Sequence, residues 1–211
     1  MRRRKEEAHR RSLGDYIDKR PVIVALAGPN GAGKTTFYNA HLRGYRLRFV
    51  NADILSRGLD IDPYPAATLA ARLRDALVEQ RESFVFETVF SDPEGEKLAF
   101  LKRAAASGYS VVVCFIALRS ARASKERVAM RVSQGGHAVP SETLTARFPR
   151  TLANLRGALR ELPVVMIFDN SDLEASFRHV ATFENGCSRF LSSPLPTWLL
   201  GILPRGQSTL D

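Results

Sequence analysis

The chain has 211 residues, of which 45% are hydrophobic and 25% charged, and a formal net charge of +9. These values fit one globular domain large enough for a sheet covered on both faces, and no apolar run approaches the roughly 18 residues of a membrane span. Cys114 and Cys187 have neither metal-ligand spacing nor the density of a disulfide framework.

The basic start, Met1-Arg2-Arg3-Arg4-Lys5, is followed by no signal-type apolar core, so the expected location is the cytoplasm, with no membrane partner. Residues 1–20 read as a basic N-terminal extension, 21–183 as the domain that carries the P-loop kinase motifs described below, and 184–211 as a C-terminal extension packing on the core. The basic balance fits either nucleic-acid affinity or a surface serving a phosphate-rich small-molecule site. The arginines are spread over predicted helices without an aromatic single-strand platform, which favours the small molecule over nucleic acid.

Val22-Ile23-Val24-Ala25-Leu26-Ala27 has the length and β-branched content of a buried strand, and Lys34 to Leu42 reads as a helix. Between them lies Gly28-Pro29-Asn30-Gly31-Ala32-Gly33, followed by Lys34-Thr35-Thr36. The glycines let successive N–H groups turn inward and form an anion-binding concavity at a helix N-terminus. Gly28-x-x-x-x-Gly33-Lys34-Thr35 matches the P-loop pattern: the lysine reaches the terminal phosphates of ATP and the Thr35 hydroxyl sits on Mg2+.

Downstream, Arg46 to Val50 reads as a short strand ending at Asn51-Ala52-Asp53, followed by a helix from Ala66 to Arg81. A strand follows at Ser83 to Thr88, then a helix opened by Pro93 and stopped by Gly108, and an apolar strand at Tyr109 to Leu118. Helices over Ser120 to Ser133 and Thr143 to Leu162 flank a Gly-rich interruption containing His137, a loop residue without ligand spacing. A last strand, Pro163 to Phe168, ends at Asp169-Asn170. This alternation predicts an α/β fold: a P-loop kinase-like parallel sheet of about five strands with helices on both faces, and ligands at the strands' C-terminal ends. That edge receives the P-loop and three acidic residues, Asp53, Glu87 and Asp169.

A P-loop alone does not define a reaction. A small-molecule kinase needs a carboxylate for the acceptor hydroxyl's proton, a metal, and arginines that close over the phosphoryl group. Asp53 is placed for the base, although Asp at that position also serves as a helix cap. Glu87 could orient the acceptor or hold magnesium through water. Arg127, Arg131, Arg147 and Arg150 surround the Gly-Gly hinge as an arginine-bearing helical lid, or as solvated basic helix faces. The competing class is a P-loop ATPase acting as a regulatory module.

"AGPNGAGKTTF", "VNADIL", "FVFETVFS", "RVAMRVSQGGHAVP", "RFPRTLANL" and "FDNS", over roughly residues 21 to 172, resemble the successive motifs of the zeta toxins, P-loop kinases of bacterial toxin–antitoxin systems. The resemblance implies ATP-dependent phosphorylation of a nucleotide-sugar hydroxyl, typically the 3′-hydroxyl of UDP-N-acetylglucosamine, with NAD as another acceptor of related enzymes. It also implies a protein antitoxin as partner. Carried onto this chain, Lys34 and Thr35 would serve the triphosphate and magnesium, Asp53 would be the base, Glu87 would help hold the acceptor, and Arg131 and Arg147 would bind phosphate.

Overall fold

Six consecutive apolar residues between Pro21 and Gly28 leave no polar face for water. In the computed structural model, which describes residues 12–135 and 138–204, they form the central strand β1 (Val22–Ala27), with every side chain buried. Strand β1 pairs in parallel with β3 (Phe84–Thr88) on one side and β4 (Ser110–Ala117) on the other. Strand β2 (Arg48–Val50) lies beyond β3, and β5 (Val164–Asp169) beyond β4, both again parallel.

The full order is β2-β3-β1-β4-β5-β6-β7. The sheet therefore has seven strands, where the sequence pattern predicts about five. The added pair, β6 (Arg178–Glu184) and β7 (Cys187–Leu191), runs antiparallel from the β5 edge. It turns at Asn185-Gly186, whose φ values of 49° and 81° match the left-handed pair that tight hairpins require.

Side chains alternate across the sheet and divide the core in two. On one face Ile23, Ala25, Val113, Phe115, Val165 and Ile167 meet helices α4 (Pro63–Glu79), α5 (Glu96–Ala106), α7 (Ser141–Glu161) and α8 (Thr197–Leu200). On the other, Val24, Leu26, Val112, Cys114 and Ile116 meet Tyr16 and Ile17 of α1 (Leu13–Ile17) and Phe37 of α2 (Lys34–Phe37). Burying such a side chain contributes about 1.5–3 kcal/mol, so both layers are anchored chiefly by the strands that carry the site at their ends.

Several boundaries differ from the sequence prediction. The helix predicted over Lys34 to Leu42 is α2 continued by a π-helical turn (Tyr38–Leu42) and a 3-10 turn (Arg43–Tyr45). Arg46 adopts a left-handed φ of 54°, so β2 begins at Arg48 rather than Arg46. An additional helix, α3 (Ala52–Leu59), starts directly after β2, where Asn51 Oδ1 accepts from Ile54 N–H at 3.1 Å. Helix α4 starts at Pro63 instead of Ala66, because proline suits a first helical turn. Gly95, not Pro93, precedes α5. Helix α6 (Ala121–Ser133) is capped by Ser120, whose Oγ accepts from Ala123 N–H. His137 lies outside the described residues, as do the outer parts of both expected extensions. No helix among the described residues is long and apolar enough to cross a membrane.

Candidate active site

The chain leaves β1 through Gly28, whose φ is 141° and where a Cβ would lie 2.1 Å from the Ile116 carbonyl oxygen of β4. Only glycine lets the loop pass so close to its neighbour. At the far end Gly33 caps α2 with φ 88°, and a Cβ there would lie 2.8 Å from Asn170 Nδ2. The P-loop is thus shaped by a backbone contact from β4 and a side-chain contact from the residue that follows β5.

Asn170 is buried and clamps the loop. Its Nδ2 donates to the Ala32 carbonyl at 2.8 Å, and its Oδ1 accepts from Phe177 N–H at 3.3 Å. A carbonyl on one side and an N–H on the other fix which end of the amide faces which partner. The Asn170 carbonyl in turn accepts from Arg127 Nη2 at 2.9 Å, and Ser124 Oγ donates to the Asn30 carbonyl at 2.6 Å. Helix α6 is therefore fastened to the loop through Arg127 and Ser124.

Lys34 is 6% exposed, its ammonium donating to the carbonyls of Gly28 at 3.0 Å and Pro29 at 3.1 Å. Burial pushes its pKa below that of an exposed lysine. The Glu87 and Asp53 carboxylates oppose that shift, and the Arg131 guanidinium adds to it. Glu87 Oε1 lies 3.7 Å from the Lys34 ammonium, while Glu87 Oε2 accepts from Thr35 Oγ1 at 2.9 Å and from Asn51 Nδ2 at 2.8 Å. One carboxylate thus joins the two hallmark P-loop side chains to the cap of α3.

The Thr35 hydroxyl and the Glu87 carboxylate are hard oxygen donors side by side. They suit Mg2+, which takes one or two protein oxygens and completes its shell with phosphate and water. Among the described residues no group of three or more His, Cys, Asp or Glu could hold a metal. Such a cage is not what a nucleotide-bound Mg2+ needs.

Asp53 is the second residue of α3 and is exposed; Asn51 caps that helix, so the Asp53 carboxylate is not spent as the cap. Arg131 stands in the last turn of α6 and is among the charges that act on Lys34. Arg147 and Arg150 lie on α7. Arg147 accepts from Thr151 Oγ1 through its backbone carbonyl, and no contact ties its side chain to Lys34. Arg150 Nε is buried without a hydrogen-bond partner. Asp169, expected at the loop edge, is committed elsewhere: its carboxylate accepts from Trp198 Nε1 at 3.0 Å and from Ser171 N–H at 2.9 Å. Asn51, Asn170 and Arg127 stand in the quoted motifs, but their roles in holding Glu87 and the loop are not legible there, since each depends on a partner far along the chain.

The family model described as Zeta toxin matches residues 64–179. No curated protein matches the chain. Among solved structures, a chain of the AvrRxo1-ORF1:AvrRxo1-ORF2 complex with sulphate ions superimposes with a TM-score of 0.68 at 17% identity, covering 99% of this chain and 72% of that one. The complex with ATP gives 0.67 at 17% identity, over 99% and 71%. A structure of the PezAT chromosomal toxin-antitoxin system of Streptococcus pneumoniae gives 0.56 at 15% identity, over 92% and 88%. At such identities the likeness to these structures is one of fold.

Proposed function

The chain belongs to the zeta toxin family, and from that premise we propose that it is an ATP-dependent kinase that phosphorylates a hydroxyl of a nucleotide sugar, of the UDP-N-acetylglucosamine type. The observation that carries the reading is the bonding of Glu87 to Thr35 and Asn51 beside Lys34, with Asp53 two residues past Asn51. Phosphate-binding, metal-binding and proton-accepting groups thereby meet at one edge of the sheet.

In this mechanism the N–H groups of Gly28 and of Asn30 to Thr36 cradle the triphosphate, and the Lys34 ammonium offsets charge on the phosphoryl group in flight. Thr35 and Glu87 would hold Mg2+, which when bound would shield the charge of the phosphates. Asp53 takes the acceptor hydroxyl's proton as the new oxygen–phosphorus bond forms and the bond to the ADP oxygen breaks. Arg131, joined by Arg147 from α7, grips the equatorial oxygens and excludes water. The enzyme acts in the cytoplasm as the toxin of a pair whose antitoxin covers the P-loop mouth, a partner supported by the two-component assemblies of the AvrRxo1 and PezAT structures.

Asp53→Asn tests the assignment of the base, because Asn is nearly isosteric yet takes no proton. ATP affinity is expected to stay at the wild-type value while acceptor phosphorylation falls by about 100-fold, the lower end of general-base contributions, since phosphoryl transfer is loose. An Asp53→Asn enzyme that transfers phosphate as fast as wild type overturns the role.

A further inference from the structure

The opposite edge of the sheet carries a second basic site. Arg20 and Pro21 precede β1, Arg46 and Leu47 precede β2, and Arg81, Glu82 and Ser83 precede β3, so the N-terminal ends of three adjacent parallel strands converge. Together with Arg48 they line a groove of ≈ 570 Å³. The P-loop leaves the other end of β1, and six residues of strand put roughly 20 Å between the two sites.

Among the described residues four arginines and a single carboxylate residue, Glu82, line this groove. Among the described residues the guanidiniums of Arg20, Arg46 and Arg48 make no hydrogen bond or ion pair, and Glu82 pairs with none of them. Arg81 is held in place: its Nη1 donates to the Ser107 carbonyl at 2.7 Å and its guanidinium lies 5.4 Å from the Tyr109 ring centre. The Tyr109 hydroxyl donates to the Glu82 carbonyl at 3.1 Å, which braces the same wall. Like charges gathered around one concavity raise its positive potential and attract an anion.

We infer that this groove binds a phosphorylated small molecule, its phosphates gripped by the arginine forks and a hydroxyl accepted by Glu82. The volume falls within the range of small-ligand sites, and the guanidinium fork matches phosphate oxygens. Leu47 and Pro21 give the groove an apolar floor, while among the described residues no aromatic ring lines it for base stacking. Glu82 would repel a continuous phosphodiester chain. The small ligand is thereby favoured over a nucleic acid.

Backbone-amide NMR of the full chain, titrated with inorganic pyrophosphate, tests the inference independently of catalysis. Saturable shifts are expected at residues 46–48 and 81–83, and they should persist in Lys34→Ala, where the P-loop response is weakened. Arg46→Asn tolerates the left-handed backbone and Arg48→Thr suits a strand; the double variant should weaken binding at the groove at least about tenfold, the loss of charge-assisted hydrogen bonds, while P-loop shifts remain. Arg20→Ser, outside the sheet, gives an independent second variant should the double one fold poorly. Shifts confined to residues 28–36, or unaltered groove affinity in both variants, overturn the site. Tighter binding of a short single-stranded RNA at the groove, with a steep salt dependence, overturns the small-molecule assignment.

Discussion

Asn170 should behave as a positioning residue, and the structure sets the size of the effect. Asn170→Ala removes the hydrogen bonds to Ala32 O and from Phe177 N–H and leaves the Ala32 carbonyl without that donor. Two hydrogen bonds contribute about 0.5–1.5 kcal/mol each, and an unsatisfied buried group adds to the loss, so a destabilisation of about 2–3 kcal/mol is expected. For a domain of this size that lowers Tm by about 4–12 °C. Because the lost contact holds the P-loop next to Gly33, kcat should fall about 10- to 100-fold even in the fraction that remains folded. Asn170→Asp keeps the shape but replaces the N–H with an oxygen facing Ala32 O, so it should be at least as damaging as alanine. Calorimetry and single-turnover kinetics on both variants decide the matter. An Asp variant that melts with wild type and turns over normally would refute the clamp.

Lys34 predicts a distinct alkaline behaviour. Burial depresses its pKa, so the folded protein releases this proton at lower pH than the unfolded chain, whose value is near 10.5. Between those two values the unfolded state binds more protons, and the contribution of this group to stability rises with pH. Phosphoryl transfer should fall over the same window as the neutral amine ceases to offset phosphate charge; rate and urea-midpoint profiles of wild type and Lys34→Met measure both limbs, and identical profiles would contradict the assignment. The thiols give another check: burial pushes Cys114 up to about 12, whereas Cys187 is exposed. A disulfide reagent at neutral pH should modify one thiol in the native protein and two after unfolding, and rapid native modification of Cys114 would mean that the β4 core opens.

Much of the site was legible because the P-loop is local: strand, glycines, lysine and helix lie within sixteen residues and impose their own geometry. Asp53 and Glu87 were legible as strand-end acids, since a parallel sheet collects polar residues at that edge. The same rule placed Asp169 at the loop, yet Trp198 claims its carboxylate, a contact 29 residues away that no local pattern carries. The roles of Asn170 and Arg127 were hidden for the same reason: Asn170 bonds to Ala32 and Arg127 to the Asn170 carbonyl, partners brought together only by the folded sheet. The β6–β7 hairpin was within reach, because Asn185-Gly186 between alternating apolar residues is a strong turn signal. Helix α3, which is not among the expected elements, was within reach too, because Asn51 is a preferred N-cap residue before an amphipathic stretch.

The most direct measurement is mass-spectrometric detection of phosphorylated product after incubation with Mg-ATP and a panel of UDP-N-acetylglucosamine, other UDP-sugars, NAD, nucleosides and short RNAs. The proposed function predicts that UDP-N-acetylglucosamine gains one phosphoryl group, with stoichiometric ADP release and no product from Lys34→Ala. ADP release that no member of the panel stimulates, with no acceptor gaining phosphate, would contradict it and identify the chain as a nucleotide-hydrolysing member of its family.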